Sequence, residues 1–456
     1  MTDLGLLGPI IAAKRAELGS RLGNTPIDIL RAMAPPTTRS VKAALDRPGA
    51  RFIFEYKRAS PSEGPLNASA DPAAIARAYT GVADAMSVLV DPHFMGSYDD
   101  LRAARAAFDG PILAKDFVID ARQVVEARMA GADAVLIILA VLDDRAARAV
   151  VNEAARFGMD VLVEVHDEVE MRRAIALDAP LVGINNRDLK SFRTDLSVTE
   201  RLAPLAHDRT IVAESGIAAR TDIDRLSPLV DAFLIGSTPM RDPDPRHAAR
   251  ALAFGRVKLC GLRTADDLRA ASPAAYAGLL LVPDSPRYVT IAQALSLAEV
   301  PLAPPLVGVF QGAPLEIVRD AVRNLPIAAI QLHGDEDAAY VAALRKTFDG
   351  EIWLAQRPSD SPRRGGDRLL FDNGRGGTGQ SLDWNTLASH PELGRAILAG
   401  GIGAHNARAA REIGAFAIDV GSATDAAPGI KDHSKIAALF DALRPVSRKE
   451  RLRACA

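Results

Sequence analysis

The chain has 456 residues, 48% of them hydrophobic and 25% charged, with a formal net charge of -2. That length exceeds one ordinary domain and suffices for two large ones, and the near-neutral charge gives no electrostatic basis for nucleic acid or an anionic membrane as partner. The two cysteines, Cys260 and Cys455, exclude a disulfide framework and suit a reducing cytoplasm.

The N-terminal MTDLGLLGPIIAAKRAELG has a short apolar run with no basic segment before it, closed by Lys14 and Arg15. This predicts an amphipathic helix rather than a signal peptide. No run of eighteen apolar residues occurs, so no membrane-spanning helix is expected. From residue 52 onward, short apolar runs alternate with longer helical stretches rich in Ala, Arg and Leu. In the first half the runs fall at 52–56, 85–90, 111–115, 134–138, 161–165, 181–185, 210–215 and 232–235. A second set of eight follows at 257–261, 278–282, 306–310, 328–332, 352–356, 368–372, 396–399 and 417–420. Strand–helix alternation predicts parallel βαβ units, and eight such units close a (βα)8 barrel of roughly 200–250 residues. The expected architecture is α/β: two (βα)8 TIM barrels in tandem, over 1–254 and 255–456, joined near 248–256. Residues 1–50 precede the first strand as a helical extension.

The stretch FIFEYKRASPSEG begins as a core strand yet carries Glu55 and Lys57 onto the face that Ile53 occupies, because residues two apart in a strand share a face. A strand fraying into solvent accounts for one such case. Here Lys115 ends PILAK, Glu164 ends DVLVE, Asn185 ends LVGIN and Glu214 ends TIVAE. In a (βα)8 barrel the C-terminal strand ends share one pocket, so five polar strand ends predict an active site. Glycines add a phosphate signal. AESGI is followed by LIGS, and LAGGI by DVGS, so Gly216 precedes Gly236 by the same spacing as Gly401 precedes Gly421. Turn glycines account for either pair alone. The matched pairs, after the seventh and eighth runs of each half, predict a phosphorylated substrate in both barrels.

At these motifs the chain resembles known families. The first half, through about residue 250, resembles indole-3-glycerol phosphate synthase in FEYKRASPSEG, ILAKDF, LVEVHDEVE, VGINNRDL, AESGI and FLIGS. The second resembles phosphoribosylanthranilate isomerase in KLCGL, DSPRY, GVF, AIQLHGDE, LLFDNGRGGTGQSLDW, LAGGIG and PGIKD. Together they resemble the fused bifunctional enzyme of tryptophan biosynthesis.

For the first half the resemblance implies decarboxylating ring closure and dehydration of a carboxyphenylamino-deoxyribulose phosphate. Lys115 would be the general acid at the ketone oxygen, its pKa lowered by burial and crowding cations. Glu164 would be the base or charge stabiliser for dehydration. Lys57, beside Glu55, would bind substrate or act as a second acid. Asn185, Arg187 and Glu214 would position the substrate, Ser60, Phe117 and Leu234 would add contacts, and Ser215, Gly216, Gly236 and Ser237 would hold its phosphate.

For the second half the resemblance implies an Amadori rearrangement, with Cys260 as base and Asp372 as acid. A buried apolar thiol and an Asx-turn aspartate are the competing readings of these two residues. Arg287 would hold the anthranilate carboxylate and His333 would touch substrate. Gly377, Gly401, Gly403, Gly421 and Ser422 complete the expected binding set. Glu63 stands where many relatives have Lys or Gly, which removes the expectation of a further cation there. No metal-ligand spacing or dinucleotide fingerprint is found, and neither reaction needs a cofactor. A cytoplasmic monomer acting on phosphorylated small molecules is expected, with Cys455 in a tail. Two other readings compete. One is a histidine-pathway type of sugar-phosphate isomerase, which would lean on paired aspartates and is opposed by Cys260 with Asp372. The other is a non-catalytic tandem-barrel binding protein, opposed by the intact Lys115, Glu164, Cys260 and Asp372.

Overall fold

The computed structural model describes residues 7–60, 63–189, 191, 193–373 and 384–455. The chain forms two compact units, Met1–Ala253 with Pro445–Ala456, and Phe254–Arg444. Each contains a closed barrel of eight parallel strands in which every strand pairs with its neighbours in sequence and the eighth pairs with the first.

The first barrel is built from Arg51–Tyr56, Ala85–Leu89, Ile112–Lys115, Ala134–Ile138, Asp160–Val165, Leu181–Asn185, Thr210–Glu214 and Ala232–Ile235. Its first strand shows how alternation sorts the side chains. Phe52 and Phe54 stack at 5.8 Å, and Phe54 lies 5.4 Å from Tyr79 on the helix Pro72–Tyr79, so both phenylalanines face the helical layer. Ile53 faces the other way, into an inner core with Leu113, Leu136, Leu162, Val212 and Leu234. Val41 and Leu45, on the short helix Val41–Leu45, join the same cluster. Glu55 follows Ile53 on the inner face and is buried. The helices that follow the strands begin on side-chain caps. Asp71, Ser97, Asp143 and Asp167 each accept a backbone N–H of the first turn, which satisfies donors the helix itself cannot.

The N-terminal extension forms helices Leu7–Leu22, Ile27–Met33 and Val41–Leu45. Lys14 on the first is almost wholly buried, its Nζ 2.7 Å from Asp91 and 2.9 Å from Asp116. Those aspartates follow the second and third strands, so the helix is tied to the C-terminal end of the barrel. The end of the chain departs from the expected 1–254 and 255–456 division. Residues 445–455 belong with the first unit, where Arg448–Cys455 forms a helix. The reason is a set of polar ties: Ala50 N–H donates to the Pro445 carbonyl at 2.9 Å, and the buried Arg448 lies 2.8 Å from the buried Asp231.

The second barrel uses Val257–Cys260, Tyr276–Leu280, Leu306–Phe310, Ile327–Leu332, Glu351–Gln356, Arg368–Phe371, Ile397–Leu398 and Ala417–Val420. Its core gathers Val307, Trp353, Leu370 and Ile397, with the Tyr276 ring edge-on to Trp353 at 5.1 Å. Among the described residues no helix is long and apolar enough to cross a membrane.

Candidate active sites

At the C-terminal end of the first barrel the polar strand ends converge. Lys115 Nζ lies 3.2 Å from Glu164 Oε2 and 3.2 Å from Glu214 Oε2. Asn185 donates to Glu164 Oε1 at 3.0 Å, and His166 Nε2 lies 3.2 Å from the same oxygen. Glu55 accepts from Ser87 at 3.1 Å, and its other oxygen is 3.6 Å from Lys57 Nζ. A side chain at position 236 would place its Cβ 2.5 Å from Glu55 Oε1, so Gly236 leaves room for that carboxylate.

A cavity of about 130 Å³ opens here, lined by Glu55, Lys115, Glu164 and Asn185 of these groups together with Lys57, Ser60, Phe117, Arg187 and Ser215. Leu7 and Ile10 of the N-terminal helix close part of it. Ser215 (φ 63°) and Gly216 (φ 78°) are both left-handed, an uncommon state for serine that clusters at functional sites. Leu234, expected to touch substrate, packs in the inner core and is not among the residues lining this cavity.

Electrostatics separate the two carboxylates around Lys115. Burial pushes Glu164 up, but Lys115, His166 and Asn185 outweigh it and hold the carboxyl well below its usual range. Glu214 is pushed up to about 7 by burial, with Glu164 adding to the effect against Lys115. Burial works against the charge of Lys115, yet Glu214, Glu164 and Glu55 prevail and raise its pKa. The expected lowering is therefore corrected: carboxylates, not cations, surround this ammonium. His166 rises to about 10, since its bonds to Glu164 and Glu170 overcome burial.

At the rim, Lys57 donates to Ser237 Oγ at 3.0 Å, and that hydroxyl donates to Glu63 at 2.8 Å. Arg187 and Arg241 reach the Glu63 carboxylate at 3.2 and 3.1 Å.

The second mouth holds a cavity of about 620 Å³ lined by Cys260, Arg287, His333, Asp372, Gly401 and Gly421, with Ser422 beside them. His333 Nε2 is 3.4 Å from Asp372 Oδ2, and His333 Nδ1 lies 3.1 Å from Gln331. Burial raises the Asp372 carboxyl, but His333 and the Asn373 N–H bring it below its usual value. Burial also raises the Cys260 thiol, against the pull of Lys258. Arg287 faces the cavity while bound to Asp425 at 2.7 and 3.0 Å. Gly403 gives its N–H to Asn406 at 2.8 Å and does not line the cavity. The expected contact through Gly377 lies outside the described residues.

Sequence reasoning missed His166, Ser87, Gln331, Lys258 and Asp419. His166, Lys258, Gln331 and Asp419 carried a usable signal, each being two residues from a residue already singled out.

Two closed (βα)8 barrels, each with acid–base groups and a cavity at the C-terminal strand ends, define a tandem-barrel enzyme with two active sites. A family model described as indole-3-glycerol phosphate synthase matches residues 7–252, and one described as N-(5'phosphoribosyl)anthranilate (PRA) isomerase matches 257–442. The tryptophan biosynthesis protein TrpCF of Yersinia pestis is 42% identical over 450 residues, covering 96% of this chain and 94% of its own. TrpCF of Salmonella typhi is 41% identical over 451 residues, covering 96% and 99%. The chain belongs to this family of bifunctional tryptophan biosynthesis enzymes, with the synthase in its first half and the isomerase in its second. The histidine-pathway and non-catalytic readings are thereby set aside.

Proposed function

We propose that the groups at the two mouths divide the established chemistry as follows. In the second barrel, phosphoribosylanthranilate opens its ribose ring and loses its C2 proton, giving carboxyphenylamino-deoxyribulose phosphate. Cys260 takes that proton and Asp372 serves the ring oxygen. The free site holds Asp372 as a carboxylate, so it must gain a proton before it can serve the ring oxygen. Arg287 meets the substrate carboxylate after loosening from Asp425, and the loops at Gly401 and Gly421 hold the phosphate.

In the first barrel the product of that step closes its ring. Lys115 donates to the ketone oxygen as the aryl carbon attacks, CO2 leaves, and Glu164 assists the loss of water. The raised pKa keeps Lys115 charged in the free site, at a cost in acid strength, since an acid is most effective with a pKa near the working pH. The contact of Lys57 with Ser237 favours a binding role at the phosphate end over that of a second acid. The observation that carries the reading is the Lys115 ammonium held between Glu164 and Glu214 at the mouth of a closed barrel. The protein acts as a cytoplasmic monomer on phosphorylated small molecules.

Lys115→Ala is expected to lower ring closure by about 10²–10⁴-fold while isomerase turnover persists. Cys260→Ala and Asp372→Asn are expected to do the reverse. Ring closure by Lys115→Ala above about a tenth of the wild-type rate, against the usual worth of a general acid, removes Lys115 from its role. Near-normal isomerisation by Cys260→Ala returns that thiol to the core.

A further inference from the structure

In the second barrel's first strand, Val257–Cys260, Lys258 and Cys260 are two residues apart and leave the strand on one face. Lys258 is fully buried, and its Nζ lies 2.8 Å from Asp419 Oδ2 on the eighth strand, where the two residues are register partners. On the other side, Gly278 is the register partner of Cys260. A Cβ at position 278 would stand 2.9 Å from Cys260 Sγ and 2.9 Å from Lys258 Cε. The thiol and the end of the lysine stem therefore flank one point on the second strand, left open by a residue with no side chain.

Burying an ammonium and a carboxylate in a barrel core is costly, and apolar side chains of similar volume fill such a space at least as well. Stability alone does not account for the pair, whereas the proposed isomerisation gives it a use. Cys260 must be a thiolate before it can accept a proton, and its burial opposes that state. Among the charges facing it, Lys258 has the strongest favourable effect, Lys431 adds to it and Asp419 opposes it. His333, Asp372 and Arg287 line the same cavity, but Asp372 is engaged by His333, while Arg287 and Lys431 are both bound to Asp425.

We propose that Lys258 is a positioning residue of the isomerase, its ammonium anchored by Asp419 against Cys260 so as to stabilise the thiolate that removes the substrate's C2 proton. The inference rests on the reading of Cys260 as the base. In that step the C2–H bond breaks and an S–H bond forms. The C2–H electron pair becomes the C1–C2 double bond, and the C1–N π pair passes to the iminium nitrogen. Lys258 and Asp419 keep their charges throughout, so the effect comes from the field of the ammonium and not from proton transfer by it.

The test reads the thiolate without substrate. Alkylation of Cys260 by iodoacetamide is followed against pH by intact mass, in the full-length protein carrying Cys455→Ala. Lys258→Met/Asp419→Leu removes both charges together and leaves no buried ion unpaired; Lys258→Met alone is the second variant. The midpoint of alkylation is expected to rise by about one pH unit or more, a tenfold loss of thiolate near neutrality. Isomerase kcat at pH 7 is expected to fall about tenfold in step, with KM little changed, activity recovering toward alkaline pH and ring closure by the first barrel unaffected. An unmoved alkylation midpoint in either variant, with near-UV circular dichroism as in the parent, overturns the proposal even if turnover is lost. The failure of the underlying reading is distinguishable: Cys260→Ala would then retain turnover, whatever the alkylation curves show.

Discussion

Glu63 puts a carboxylate among the groups proposed to receive the synthase substrate's phosphate. Ser237, Arg187 and Arg241 all reach it, and the first two hold its carboxyl below the usual range against the effect of burial. Substrate phosphate must compete with it for Ser237. Glu63→Gln is accordingly expected to lower the synthase KM by up to about fivefold, the worth of about 1 kcal/mol for a partly exposed ion pair, with kcat little changed. A KM that rises instead would mean that Glu63 orders the cradle rather than filling it. His166 gives a pH test at the same scale. Its folded pKa of about 10 lies above the ordinary 6.5, so its contribution to stability is complete below pH 6.5 and is lost as pH rises toward 10. His166→Gln is expected to flatten that stretch of the first unit's stability–pH curve, read from urea midpoints. Alternation by two along a strand made Glu55, Lys115, Glu164, Asn185 and Glu214 legible in the sequence. The direction of the Lys115 pKa shift was not, because it depends on which carboxylates three other strands bring to it. Lys258 went unread because its use depends on Asp419, far along the chain.

The C-terminal helix Arg448–Cys455 is held by contacts that no local pattern announces. Arg448 joins Asp231 inside the first unit, and Asp231 also accepts the Ile211 N–H at 2.9 Å. Removing one partner of a buried pair leaves the other unpaired and typically costs about 3–5 kcal/mol. Arg448→Met is expected to destabilise the first unit by that order in urea unfolding, followed by loss of ring closure, while isomerase activity persists. Unchanged unfolding would show that the helix is not held through this pair. The strands themselves were readable from apolar runs bounded by helical stretches, with shifts where the run and the pairing part company. In the second barrel the run 278–282 continues past the strand Tyr276–Leu280 because Leu281 remains buried after pairing ends. The strand starts earlier because Tyr276 packs on Trp353.

At the scale of the molecule, each closed barrel carries its own acid–base groups, its own cavity and its own glycine loops, and no residue is assigned to both sites. We propose that the two reactions are carried by separate sets of residues and linked by a free intermediate. The most direct measurement supplies phosphoribosylanthranilate to an equimolar mixture of full-length Lys115→Ala and full-length Asp372→Asn, and follows indole-3-glycerol phosphate. Neither variant alone is expected to complete the conversion, and the mixture is expected to complete it after a lag while the intermediate accumulates. A mixture that stays inactive, although Lys115→Ala still isomerises and Asp372→Asn still closes the ring of supplied intermediate, would contradict the account.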